Sequence, residues 1–344
     1  MTLTDAAAFT KKAIIVSIIT LVLGFTTWGI WHYYYNYIYL PGLPVAVEKP
    51  TLAFGPVPKV SFPESKVSSG NFTYSLDTET GALPEDTPEL FKVYSVAQLA
   101  TDLLALDRAK SLAKSLQFNE TPLAISATQY KFIDDIKGGE LIVDLDTGNF
   151  KFRRNAATES GERFERIETF IDDSSQTQNL KSFLSSKGLL KEQLKSGKIT
   201  ATYNSPVKKD STLVTINLWQ DSVDEYPIVT PKFNEGLIKA VGNNNQNTDR
   251  KYIFLDYIFW PIDLENFGTY PIKTPELAYE ELQNGEGFIA LEPRSNNVSI
   301  AKVYLAYYLA EQYSSYLLPV YVFEGIGFAG YVPAIMSEFV EKDS

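Results

Sequence analysis

Apolar and polar positions follow three patterns along the chain, each predicting a different element. From residue 13 to 31 the sequence AIIVSIITLVLGFTTWGIW holds nineteen residues without a charge. At ~1.5 Å per residue this makes a helix of about 28 Å, close to the ~30 Å hydrocarbon core of a bilayer. It is apolar all round, as a membrane span is and a surface helix is not. Further on, alternation with period two predicts strands at 72–76, 124–132, 140–145, 150–153, 199–203, 213–219, 236–241 and 252–260. Others follow at 288–291, 300–309, 317–323 and 330–335. A period near 3.6 predicts a helix opening at Ser95, where Gln98 completes a capping box and Val96, Leu99, Leu103, Leu106, Ala113 and Leu116 form one face. A second helix spans 177–186 and ends at Gly188. A third starts at Thr274-Pro275-Glu276, with threonine as cap, proline in the first turn and an acid against the dipole.

A helix followed by antiparallel strands therefore recurs about three times. The expected fold class is α+β: an N-terminal transmembrane helix and then an ectodomain of three helix-plus-antiparallel-sheet units. The expected boundaries are a tail at 1–12, an anchor with an aromatic belt at 13–40, a Pro-rich spacer at 41–70, and units at 71–155, 156–262 and 263–344. Residues 41–63 hold six of the eighteen prolines, which favours an extended segment. Its apolar residues Leu52, Phe54, Val57, Val60 and Phe62 suggest that it lies on the following domain.

Charge orients the span. Lys11 and Lys12 precede it, and Trp28, Trp31 and a run of tyrosines mark its far end at headgroup level. The tail to residue 12 carries +1 from side chains and the rest −12, out of a total of −11. Basic flanks stay cytoplasmic, so the expected location is the cell membrane, with a cytoplasmic N-terminus and an extracytoplasmic body. The apolar run exceeds the ~7–15 residues of a signal-peptide core, and aromatic residues occupy the place of a small-x-small cleavage site. An uncleaved anchor, with the bilayer as partner through residues 13–31, is the expectation.

Chemistry is sparse. The chain has no cysteine and one histidine, His32, beside the span. This removes Ser-His-Asp and Cys-His arrangements and zinc sites built on His or Cys. No phosphate-binding glycine loop or nucleophile elbow occurs. The acidic balance disfavours nucleic acid as a partner. Asp77, Asp144 and Asp146 flank turns and read as local acceptors for backbone N–H groups. The neighbours Asp134-Asp135 and Asp172-Asp173 point to different sides of their elements and do not make acid/base pairs. A Ser-Lys dyad or a separated carboxylate pair has no local signature and stays open. Tyr203, Trp219, Tyr226, Phe233, Tyr252, Phe254, Tyr257, Phe259 and Trp260 read as core and cross-strand packing. No catalytic, cofactor-binding or metal-ligating residue is expected.

The C-terminal stretch carries a pattern of its own. It runs GTYPIKTPELAYEEL from Gly268 to Leu282, then VYLAYY ending at Tyr308, LPVYVFE ending at Glu324, and YVPAI ending at Ile335. This resembles the end of YycI/YycH-type membrane regulators of Gram-positive bacteria. The matching positions are Tyr270, Pro271, Thr274, Ala278, Tyr307, Pro319, Tyr321 and Phe323. The segment from Ser95 to Arg154, with VDLDTG near its end, resembles a PepSY-type unit. The resemblance implies a single-pass anchor, an extracytoplasmic α+β body without chemistry of its own, and regulation of a membrane partner such as a sensor histidine kinase. The overall layout is also similar to bacterial single-pass surface proteins. Two further classes follow from the residues: a structural or adhesion component of the cell surface, and a cell-wall enzyme.

Overall fold

The computed structural model describes residues 3–39, 49–65, 67–98, 102–134, 138–155, 169–170, 172–244 and 251–342. The chain is α+β and falls into two compact units, Met1–Lys49 and Pro50–Ser344.

Among its described residues the first unit is helical from Leu3 to Tyr39. Helix α1 (Leu3–Tyr34) continues into a π-helical turn at Tyr35–Tyr39. Its stretch Lys11–Tyr37 is long and apolar enough to cross a membrane, and none of it is buried. Its hydroxyls do not spoil that surface. Thr20 Oγ1 donates to Val16 O at 2.9 Å, Thr26 Oγ1 to Val22 O at 3.0 Å and Thr27 Oγ1 to Leu23 O at 2.6 Å. These three donors are satisfied within the helix, as suits an apolar surrounding.

The second unit holds two eight-stranded sheets. The strands are β1 (Thr73–Leu76), β2 (Leu90–Val96), β3 (Leu123–Ala124), β4 (Gln129–Asp134), β5 (Gly139–Asp144), β6 (Phe150–Arg154), β7 (Ile199–Tyr203) and β8 (Leu213–Leu218). They continue as β9 (Ile228–Val229), β10 (Ile238–Asn243), β11 (Tyr252–Tyr257), β12 (Ile262–Pro271), β13 (Phe288–Leu291), β14 (Asn297–Tyr308), β15 (Tyr316–Gly325) and β16 (Phe328–Pro333). Helices α2 (Ala105–Ser115), α3 (Asp173–Ser186) and α4 (Pro275–Gln283) lie among them.

One sheet has the order β3-β4-β5-β6-β11-β10-β8-β7. Its β6–β11 register is marked by two opposed pairs. Phe150 stacks on Tyr257 at 5.0 Å, and Lys151 meets Asp256 at 2.9 Å. Such cross-strand pairs are what fix a register. The helices α2 and α3 pack on this sheet through Ala109, Ala113, Leu180 and Leu184.

The other sheet has the order β1-β14-β15-β16-β13, with β9 beside β14 and β2 joining β12 to β15. It is covered on both faces. Leu317, Tyr321 and Phe323 of β15 share a core with Ala278 and Leu282 of α4, while Val320 and Val322 share another with Phe62 and Phe288. Two-sided burial explains why β15 reads as a continuous apolar run. Its Pro319 falls between Leu317, which pairs β2, and Val320, which pairs β16. The residue without an N–H thus sits where the neighbouring strand changes.

These sheets do not follow the three expected units. Strands from 73–96 pair with strands near the C-terminus, as in Thr73 beside Asn297. The expected first hairpin joins the expected middle unit through β6 and β11. The expected helix from Ser95 begins only at Ala105. Ser95 and Val96 end strand β2, whose Phe91, Val93 and Val96 are buried. Leu103 is wholly exposed, so its helical spacing from Val96 was coincidental; Leu99 lies outside the described residues. Asp102 opens α2 instead, accepting from Leu104 N at 2.9 Å and gripping Arg108 with both oxygens.

The expected spacer is, from residue 50 to 62, part of the second unit. Leu52 N donates to Thr269 O, Phe54 N to the Tyr270 hydroxyl at 3.0 Å, and Val57 pairs with Val340. Residues 41–48 and 66 of that spacer, and residue 40 of the expected anchor, lie outside the described residues.

Candidate functional site

The residues singled out in the sequence divide by location. Lys11, Lys12, Trp28 and Trp31 lie along the exposed apolar helix. The eight positions of the C-terminal motif are interior or structural. Tyr270, Ala278, Tyr307, Tyr321 and Phe323 have at most 1% of their surface exposed, and Pro319 is buried too. Thr274 caps α4 by accepting from Leu277 N, and Pro271 ends β12. The motif tyrosines act as braces between distant segments. The Tyr270 hydroxyl donates to Gly55 O at 2.9 Å, that of Tyr307 to Lys92 O at 3.1 Å and that of Tyr321 to Lys273 O at 2.6 Å. A buried tyrosine needs such an acceptor. The motif therefore serves mainly to build the sheet and cap α4, with Thr274 exposed and Pro271 half-buried.

One surface concavity runs along strand β13, and another of about 850 Å³ lies beside α2. A groove of about 620 Å³ runs between residues 61–64, the 231–232 turn, β13 and residues 308–312. Its floor is aromatic. Phe62 stacks on Phe288 at 4.8 Å with planes 6° apart, and meets Tyr308 edge-on at 4.8 Å. Tyr331 lies beneath, its hydroxyl donating to Thr230 O at 3.1 Å. Glu64, Glu292 and Glu311 stand exposed on the rim. Burial first, then the charge of Glu311, push the Tyr308 phenol above its ordinary range. One long edge of the groove is β13 itself, which pairs β16 on one side only. On its outer side Ala290 O accepts from Phe233 N at 3.3 Å.

A smaller cavity of about 140 Å³ adjoins this groove and shares Pro231, Lys232 and Glu311 with it. Its charges are matched. Lys151 meets Asp256 at 2.9 Å, while Glu235 takes Lys239 at 2.9 Å and Lys232 at 3.4 Å. The lysine contacts outweigh the burial that opposes them and hold the Glu235 carboxyl below its ordinary value. No such partner stands by Glu64, Glu292 or Glu311 among the described residues.

A third feature is a strained turn. Asp224 and Glu225 both adopt left-handed backbone, with φ of 48° and 70°. Val223 and Tyr226 close the turn by exchanging bonds of 3.0 and 2.9 Å. Asn-Gly is the usual occupant of such a turn. Here the Asp224 carboxylate accepts from Lys92 Nζ at 2.8 Å and from the Tyr94 hydroxyl. These bonds, Lys92 first, hold its carboxyl below the usual range.

Of the aspartates flanking turns, Asp144 acts locally, whereas Asp77 does not: its Oδ2 accepts from the Ser299 hydroxyl of β14 at 3.2 Å. Asp144 Oδ1 accepts from Asp146 N, Thr147 N and the Thr147 hydroxyl, each at 3.1 Å. Asp172 caps α3, and Asp173 accepts from Tyr203 and Lys208. Asp135 lies outside the described residues. No group of three or more His, Cys, Asp or Glu is placed to hold a metal ion among the described residues. Trp219, Tyr252, Tyr257 and Trp260 are buried, and Tyr203, Tyr226, Phe233 and Phe259 pack against the cores. The four segments that line the groove are far apart in the chain, so its local signal in the sequence is limited to apolar residues such as Phe62 recurring in a Pro-rich stretch.

No family model matches the sequence, and neither does any curated protein. Among solved structures, the chain is similar to a crystal structure of an uncharacterized protein from Eubacterium rectale. That protein is 13% identical, the match covers 75% of this chain and 87% of that one, and the TM-score is 0.35.

Proposed function

We propose that this chain is a membrane-anchored, extracytoplasmic binding or regulatory protein that acts on a partner in the same envelope and performs no chemistry of its own. The observation that carries the reading is the helix stretch Lys11–Tyr37, apolar and unburied along its length. It supplies an anchor, and the basic pair Lys11-Lys12 at one end favours a cytoplasmic N-terminus. An anchored body meets neighbours in the same membrane at high effective concentration, so modest affinity suffices. The C-terminal motif enters this reading as scaffold, because its side chains are used up in packing. A YycI/YycH-like relation to a sensor kinase remains within the proposal as the partner class which that motif resembles.

The test is membrane extraction combined with partner capture. Full-length protein should resist alkaline carbonate extraction, and a chain lacking residues 11–37 should be released. Replacing 13–31 by an unrelated transmembrane helix should keep the protein in the membrane. Release of the full-length chain by carbonate would overturn the anchor. Cleavage of peptidoglycan or peptide by the purified protein would overturn the non-enzymatic part and favour the cell-wall enzyme.

A further inference from the structure

We infer that the groove along β13 receives an extended, lysine- or arginine-bearing peptide segment, which adds to the outer edge of β13 and sets its cations against Glu64, Glu292 and Glu311. The inference rests on the reading that the body acts by binding, and it names the chemistry of what is bound.

Three observations converge on it. The first is the edge. Among the described residues β13 pairs with another strand only in β16, and its outer side carries one backbone bond, from Phe233 N to Ala290 O; away from Ala290 this edge is a template for another extended chain. The second is the floor. Phe62, Phe288 and Tyr308 give an apolar surface against which every second side chain of an added strand can lie. The third is charge. The three rim carboxylates lack cationic partners among the described residues, whereas the lysines of the adjoining cavity are all matched. The chain as a whole carries −11, which draws cationic segments toward it.

Charges beside a short edge strand also have a plainer use, which is to prevent sheets from joining edge to edge. That use and this one are compatible. A second copy would bring the same carboxylates to the edge and be repelled, while a cationic strand would be drawn in. Carboxylates serving only as guards need no apolar concavity beside them, and here they rim about 620 Å³ of it. A small organic cation fits the carboxylates and the aromatic floor but makes no use of the strand edge. The peptide uses all three.

The experiment uses full-length protein in detergent micelles and two labelled hexapeptides, Lys-Val-Lys-Val-Lys-Val and its Glu-Val counterpart. Fluorescence anisotropy should show saturable binding of the basic peptide, at least about tenfold tighter than the acidic one. Raising salt from about 50 to about 500 mM should weaken it severalfold, since the rim is exposed. The variant Glu64→Gln/Glu292→Gln/Glu311→Gln should lose about tenfold in affinity with an unchanged melting curve. Hydrogen exchange should slow at residues 289–292 when the basic peptide is present. Equal binding of the two peptides, binding untouched by both salt and the triple variant, protection confined to other strands, or no saturable binding would each overturn the inference. Carbonate extraction is unaffected by any of these outcomes, so failure here and failure of the anchor are told apart.

Discussion

The ring of Phe62 lies flat on that of Phe288, with centroids 4.8 Å apart, although 225 positions separate them in the chain and Phe62 falls in a proline-rich stretch. The contact makes an extended segment part of the core. Phe62→Ala should therefore destabilise the body by about 2 kcal/mol, toward the low end for aromatic truncation because Phe62 keeps part of its surface in water. Denaturant unfolding measures it. A midpoint unchanged from that of the parent chain would mean that residues 50–62 are not held as described.

Gln220 and Gln193 clamp the segment that carries the chain from β11 to β12. Gln220 Nε2 donates to Trp260 O at 2.9 Å, and its Oε1 accepts from Trp260 N at 3.2 Å. Gln193 does the same for Ile262, at 2.7 and 3.0 Å. Gln220 is only 5% exposed, so water is a poor substitute. Gln220→Ala should cost about 2–3 kcal/mol, because it strands a backbone donor and acceptor together. Gln220→Glu keeps an acceptor for Trp260 N but sets a buried carboxylate oxygen against Trp260 O, so at neutral pH it should cost at least as much as Gln220→Ala. Thermal melts of the two variants give the order, and the reverse order would contradict the clamp.

The turn at Asp224-Glu225 makes opposite predictions for adjacent residues. Glu225 has left-handed backbone, and Glu225→Gly should raise stability by about 0.5–1 kcal/mol by relieving it. Asp224→Gly relieves the same kind of strain but removes the acceptor of Lys92 and Tyr94, so it should gain nothing or lose. The Asp224 carboxyl is held low in the folded state, by Lys92 before Tyr94. Its contribution is thus present above the unfolded carboxylate value near ~4 and is lost as pH falls through the lower folded value. The effect should be small, since the pair has 39% and 42% of its side-chain surface exposed. Melting curves of parent and Asp224→Asn between about pH 7 and 3 should converge on the acid side. Curves that diverge there would reverse the sign.

Much of the fold was legible where one residue type decides one local geometry. Thr274-Pro275 announced α4, and alternation announced β7 and β13, which the structure places at the expected residues. Strand β12 was illegible because five consecutive residues, 263–267, are exposed and its pairing with β2 skips three positions between Asp263 and Phe267. The helical spacing of Val96 and Leu103 misled because a β-strand ending at Val96 accounts for the apolar residues before it. Strand pairing was the larger loss. That Thr73 runs parallel to Asn297, or that β6 meets β11, depends on non-local packing that no window of sequence contains. The candidate groove was hidden for the same reason, since Glu64, Glu292 and Glu311 come to line one groove only once the sheet holding β13 and β14 has formed.

Whether an apolar helix anchors this body on the outer side of the membrane, as proposed, is open to a direct test, because the chain has no cysteine. Single cysteines can be placed ahead of residue 1 and at the exposed Ser222, then exposed to a membrane-impermeant maleimide on intact cells. The account predicts labelling of Ser222→Cys in intact cells, and labelling of the N-terminal cysteine only after the membrane is opened. Labelling of the N-terminal cysteine in intact cells, with Ser222→Cys protected until lysis, would contradict it.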